Sequence, residues 1–303
     1  MATSDSVGRP GVVDDLKRVV ARTFDACIRY RVTGMAAEAA FFAILSLPPL
    51  IFGLAGSIGF IAARYDVAQL DLFRQRIIDL TSQALNDDTV DAIIVPTLDE
   101  VLSGGGRIDV ISVGFVLALW SGSRALNVFI DTISIMYGLG GRRGIVKTRV
   151  LSFCLYIVAL LIGVVLVPLV LVGPVLVGQW IPENWRWLSI AYWPGVLLLS
   201  TGFLATLYHV SVPVRQPWRM ALPGAVFTVM MLILGSWLVR WALDFSDGGM
   251  SIFGPLAAPI ALLLWLFVIA ISVLIGAALN ASLAGILRER REEPVDPPPT
   301  PAG

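Results

Sequence analysis

Residues 253–280 read FGPLAAPIALLLWLFVIAISVLIGAALN and contain no Asp, Glu, Lys or Arg. A helix of that length extends about 42 Å at 1.5 Å per residue, and about 20 apolar residues already cross a hydrocarbon core. The stretch is therefore a membrane-spanning helix. Five others of the same character precede it, at 36–62, 109–136, 148–180, 187–210 and 220–243. The expected fold is an all-α, polytopic membrane protein with six transmembrane helices.

The bulk composition agrees. Of 303 residues, 57% are hydrophobic and 15% charged, with a mean hydropathy of +0.82, whereas soluble domains carry roughly 25% charged residues. Disordered chains and secreted disulfide scaffolds are excluded. With 22 basic and 22 acidic residues there is no net field to draw in a polyanion, so no nucleic-acid partner is expected. Cys27 and Cys154 fall in separate segments and imply neither a bridge nor a metal cage. One histidine, His209, is too few for most zinc chemistry, so no metal and no cofactor are expected.

Working outward, residues 1–31 form an amino-terminal region whose helix, 10–31, sets Val12, Leu16, Val19, Val20, Phe24, Cys27 and Ile28 at helical spacing beside Lys17, Arg18, Arg22 and Arg29. Such a basic amphipathic helix either lies in a membrane surface or packs on the bundle end. Residues 32–288 are the membrane domain. Its insertion, 65–108, is too polar to cross but carries apolar residues at helical spacing, which predicts an external helical cap between spans one and two. Gly104-Gly105-Gly106 reads as a hinge before span two. Residues 289–303, rich in proline, read as a disordered tail. The first span is not a cleavable signal, because about 35 residues precede it and Pro48-Pro49 interrupts it.

Six spans put both ends of the chain on one side. Fifteen Lys and Arg residues flank the spans on that side and six on the other, so both termini are expected in the cytoplasm. Trp180, Trp185, Trp187 and Trp193 mark the outer boundary around the fourth span's start.

Charges within a span cost about 2.5–3.5 kcal/mol each on insertion scales, so the few present point to function. In span two, Trp120, Arg124, Asn127, Asp131 and Ser134 recur every three or four residues and share one helix face. That stripe either turns toward the bundle interior or a wet cavity, or lies at an interface with Arg124 snorkelling to headgroups. Glu38 in span one falls at similar depth and either pairs with Arg124 or faces water. His209 and Asn280 lie at comparable depth near span ends. Gly276, Asn280 and Ala284 form a small-residue stripe in which Asn280 can hydrogen-bond a neighbouring helix. The candidate polar cavity is thus Glu38, Arg124, Asn127 and Asp131, with His209 and Asn280 behind them. Pro48, Pro49, Pro168, Pro174, Pro255 and Pro259 interrupt spans and add weak support for a binding site between broken helices.

Three blocks are together distinctive: Ala37-Glu38-Ala39-Ala40-Phe41-Phe42 through Pro48-Pro49, Trp120-Ser121-Gly122-Ser123-Arg124 through Tyr137-Gly138, and Gly254-Pro255-Leu256 through Gly276 to Asn280. Over residues 20–288 the chain resembles the YihY/BrkB family of bacterial inner-membrane proteins. The resemblance implies six spans with cytoplasmic termini in the plasma membrane, and a role in envelope integrity or in lipid or solute export. Glu38 departs from the small or apolar residue usual in the family. Some members bear a ribonuclease label. One histidine here cannot supply a zinc hydrolase, and Asp87, Asp88, Asp91, Asp99 and Glu100 fall on the outer side, so the chain is not expected to be an enzyme. Two functions remain: a transporter that moves an anionic lipid or solute, with Arg124 attracting the headgroup, or a non-transporting envelope or scaffold protein.

Overall fold

The computed structural model describes residues 12–62, 108–180, 187–214, 216–245 and 257–292, with Gln75, Ile78, Val95, Pro96 and Asp99. Its helices are α1 (Val12–Arg29), α2 (Val32–Ala62), α3 (Ile108–Met136), α4 (Ile145–Trp180), α5 (Trp187–Ser211), α6 (Leu222–Phe245) and α7 (Ala257–Glu292). A 3-10 turn, Trp218–Met220, leads into α6. Among the described residues six helices, α2 to α7, are long and apolar enough to cross a membrane. Within the expected cap, the five described residues are helical; its remainder and the glycine hinge lie outside the described residues, as do residues 1–11 and 293–303. Helix α7 reaches Glu292, so it takes in the first four residues of the segment read as tail.

Local chemistry sets the helix ends. Arg31 takes a left-handed backbone (φ 51°) between α1 and α2. Gly138 (φ 70°) closes α3, and Leu139 donates its N–H to the Ser134 carbonyl at 2.9 Å. This is the Schellman arrangement, in which a residue without Cβ occupies the left-handed position at no steric cost.

Without a hydrophobic force between helices in lipid, close approach of small residues and interhelical hydrogen bonds hold a bundle together. Helices α2 and α3 form one tight pair. A Cβ on Gly114 would come 2.9 Å from the Pro49 carbonyl oxygen. Ser121 Oγ donates to the Phe42 carbonyl across the same interface at 3.1 Å. The other tight pair is α6 with α7, where Gly224 lies against the Gly276 carbonyl and a side chain at Gly276 would collide with Thr228 Oγ1. Tyr208 of α5 is buried against this pair. Its hydroxyl lies 2.6 Å from Thr228 Oγ1 and donates to the Val273 carbonyl at 2.7 Å.

Both ends of the described chain meet at one end of the bundle. Arg22 of α1 makes a two-pronged ion pair with Glu289 of α7, at 2.9 and 2.8 Å. Val19 of α1 is buried, and Ala26, Cys27 and Tyr30 pack against the core. The other side of α1 leaves Leu16, Val20, Phe24 and Ile28 exposed. The structure thus shows one face docked on the bundle, and the row of apolar side chains on the other is exposed. Burial pushes the Cys27 thiol up from its ordinary range, which favours the protonated form.

Candidate functional site

Helix α3 runs through the membrane with Arg124 at the midpoint of the span Ser112–Met136. Among the described residues its polar stripe is only partly covered. Trp120 is 56% exposed, Asp131 is exposed, and Arg124 and Asn127 are half-buried. Ser134 alone of the five is buried, and it donates to the Ser211 carbonyl of α5 at 3.0 Å. Sequence spacing establishes that the five share a face, but not which neighbours cover it. Here α2 covers one border and α4 the other, and the middle lies open between them.

Each border supplies partners. On the α2 side the Arg124 guanidinium carbon sits 5.1 Å from the centre of the Phe42 ring, a cation–π contact that offsets part of the cost of a charge at this depth. On the α4 side Asn127 Nδ2 donates to Asp131 Oδ2 at 2.7 Å, and Ser152 Oγ lies 3.3 Å from Asn127 Oδ1. Ser152 also donates to the Thr148 carbonyl at 2.8 Å. Arg149 of α4 is near enough to Asp131 for their charges to interact.

Glu38 lies one turn before Phe42, yet it is on the exposed side of α2 with Phe41 and Leu45. Among the described residues no ion pair joins it to Arg124. Ala36, Ala39 and Ala40, all buried, form the face that α2 turns to its neighbours.

His209 and Asn280 differ from each other. His209, in the last turn of α5, is half-buried, and its Nδ1 has no hydrogen-bond partner among the described residues. Asn280 is 1% exposed and fully engaged: its Oδ1 accepts the Gly224 N–H at 2.7 Å and its Nδ2 donates to the Ala221 carbonyl at 3.0 Å. It thereby satisfies one of the free N–H groups at the start of α6. The interhelical hydrogen bond read from the small-residue stripe is present.

Arg149, Ser152, Tyr208 and Thr228 were not singled out by sequence reading as site or network residues. Gly224 and Thr228 repeat on α6 the four-residue spacing of Gly276 and Asn280 on α7, a signal that could have identified the α6 side of the contact. Among the described residues no three His, Cys, Asp or Glu side chains come together as metal ligands.

The family model described as virulence factor BrkB matches residues 23–300. The chain belongs to the BrkB family. It is 26% identical over 270 residues to a Bacillus subtilis protein named YfkH and described as ribonuclease-like, covering 86% of this chain and 92% of the relative. A UPF0761 membrane protein of Stenotrophomonas maltophilia is 28% identical over 115 residues, which is 38% of this chain and 26% of the relative. No solved structure matches. This BrkB-family chain is a multi-pass membrane protein with bacterial relatives.

Proposed function

We propose that this BrkB-family protein binds and moves an anionic amphiphile, a lipid or a lipid-like solute, along the open flank of α3. The carrying observation is Arg124 at the centre of its span with Asn127 and Asp131 following it along one lipid-accessible face. A headgroup needs polar partners to cross, whereas its tails are already solvated by the bilayer. A polar flank open to lipid meets both needs without an enclosed pore. Arg124 attracts the anionic head, and Asn127 and Asp131 supply exchangeable hydrogen bonds on the way to the helix end. The fifteen-to-six distribution of Lys and Arg supports a plasma-membrane protein with both termini in the cytoplasm.

In this reading the protein is not an enzyme. The ribonuclease-like description belongs to the Bacillus relative, and the α3 flank offers a path for a headgroup rather than a nucleophile with a base. A non-transporting envelope or scaffold role is the second reading. The open polar flank favours it too, because the same groups could receive a polar span of a partner.

Reconstitution separates the two. Vesicles containing the protein and labelled phosphatidylglycerol should exchange the label between leaflets faster than protein-free vesicles, and Arg124→Ala should slow that exchange about tenfold or more. Wild-type protein that exchanges lipid no faster than Arg124→Ala overturns transport and leaves the scaffold reading.

A further inference from the structure

Between α3 and α4 lies an open groove of about 460 Å³, lined among others by Val116, Leu119, Trp120 and Ser123 from α3 and by Arg149 and Phe153 from α4. We propose that this groove is a binding site for an anionic phospholipid, with the phosphate on Arg149 and one acyl chain lying along Val116, Leu119 and Phe153. The site deepens the function proposed above by stating where the amphiphile is held; it takes only the class of ligand from that reading.

The groove's chemistry is divided by position. Arg149 lies four residues into α4 from Ile145, about 6 Å along the helix axis. That is headgroup depth on the side of the α3–α4 turn. Beyond it the walls are apolar, and from Ser123 to Val116 they continue for about 10 Å along α3. An amphiphile with one charged end and a hydrocarbon chain matches this order, whereas a free inorganic anion would leave the apolar part uncovered.

The charged end has an unmet requirement. One terminal nitrogen of the Arg149 guanidinium is buried with no hydrogen-bond partner among the described residues. A buried donor left unpaired costs more than the same donor in water, most of all when it is charged. The groove's hydroxyl does not fill the gap: Ser123 Oγ donates to the Trp120 carbonyl at 2.9 Å and is not a partner of that nitrogen. Asp131 interacts with Arg149 through its charge, but its Oδ2 accepts from Asn127 and the residue is exposed. A phosphate supplies acceptor oxygens in the geometry that guanidinium binds best. A zwitterionic headgroup offers the same phosphate but brings an ammonium toward Arg149, which disfavours it.

Fluorescence quenching tests the site in the full chain, because Trp120 lines the groove. Phosphatidylglycerol and phosphatidylcholine with brominated acyl chains would be titrated into the protein in micelles, and the Trp120 contribution obtained by difference from Trp120→Phe. Brominated phosphatidylglycerol should quench Trp120 at about tenfold lower mole fraction than brominated phosphatidylcholine. Arg149→Gln should abolish that preference. Arg149→Lys, which retains charge and is the safer variant for folding, should reduce it and leave part of it. Millimolar inorganic phosphate should not displace the lipid. Equal quenching by the two lipids in wild type, a preference for phosphatidylcholine, an unchanged preference in Arg149→Gln, or displacement by inorganic phosphate would each overturn the site. The outcomes remain distinct from those of the transport proposal. Arg149-dependent binding without leaflet exchange defeats transport and keeps the site, and exchange with binding indifferent to Arg149 does the reverse.

Discussion

Two polar regions of this bundle face opposite conditions. Where α5, α6 and α7 meet, Tyr208, Thr228 and Asn280 are buried and hydrogen-bonded across helices. Along α3, between α2 and α4, Arg124, Asn127 and Asp131 are half-buried or exposed, and neighbouring Arg149 has a buried nitrogen without a hydrogen-bond partner among the described residues. A polar group in a membrane that has all its partners is a fastener. One that lacks them is either a cost or a receptor for something that arrives later. The comparison predicts that substitutions in the first region act on stability and those in the second on activity.

The largest effect should come from filling the α6–α7 contact. Gly276→Leu would drive a side chain into Thr228 and toward the Gly224 carbonyl and the Tyr208 hydroxyl. Neither helix can yield without separating a whole interface, so a loss above about 4 kcal/mol is expected. Size-exclusion chromatography in detergent should show no monodisperse folded peak. A Gly276→Leu protein with wild-type melting would mean that α6 and α7 do not touch as described.

Next comes the loss of partners without added bulk. Asn280→Ala removes the partner of the buried Gly224 N–H and leaves the Ala221 carbonyl with the Ala225 N–H alone, at a cost of about 1–3 kcal/mol. Thermal unfolding in micelles should detect it. Leaflet exchange per folded molecule should be unchanged at temperatures where the protein stays folded. An exchange defect out of proportion to the stability loss would place Asn280 on the lipid path and break the division between the two regions.

How far these regions were readable from the sequence differs for a physical reason. Hydrophobicity and length determine a span in isolation, which is why six spans follow from residues 253–280 and their five counterparts. Asn280 was legible as well, since a small-residue stripe every four residues has few uses other than helix contact. The α3 stripe was legible as a face and illegible as an environment. Helical period places Arg124 and Asp131 together, but whether α2, α4 or lipid covers them depends on tertiary packing. The Arg124–Phe42 contact displaces the ion pair with Glu38 for that reason: depth was readable, and the rotation of α2 about its own axis was not. Arg149 escaped notice because it sits one turn inside a helix end, where a basic residue ordinarily serves only to orient the chain.

A smaller effect, of opposite sign, is expected on stability at Arg124. Arg124→Ala loses the Phe42 contact, worth about 0.5–2 kcal/mol. It also removes a guanidinium from the middle of a span, where insertion costs about 2.5–3.5 kcal/mol. The second quantity exceeds the first, so the variant should be more stable by about 1 kcal/mol while exchanging lipid more slowly. Denaturation in mixed micelles measures the first and the vesicle assay the second. A variant that is both less stable and less active would show Arg124 to be a fastener like Asn280, and the contrast between the regions would disappear.

The smallest stability effect belongs to the end of the bundle, where α1 is held by Arg22 and Glu289. Both side chains are substantially exposed, at 42% and 60% of their surface, so water and salt screen the pair. Arg22→Ala should not shift the melting temperature measurably, because Val19, Ala26, Cys27 and Tyr30 still attach α1 to the bundle. What should change is local opening. The pair ties α1 to α7, with Arg18 adding attraction to Glu289, and its loss lets the helix separate more often without unfolding the spans. Limited proteolysis in detergent should cut α1 about two- to threefold faster in Arg22→Ala, and added salt should bring the wild type toward the same rate. In vesicles rich in anionic lipid the difference should shrink, since the exposed Leu16, Val20, Phe24 and Ile28 would then be inserted and hold α1 in place without the ion pair. Proteolysis that ignores both salt and lipid would show that apolar packing alone fixes this helix.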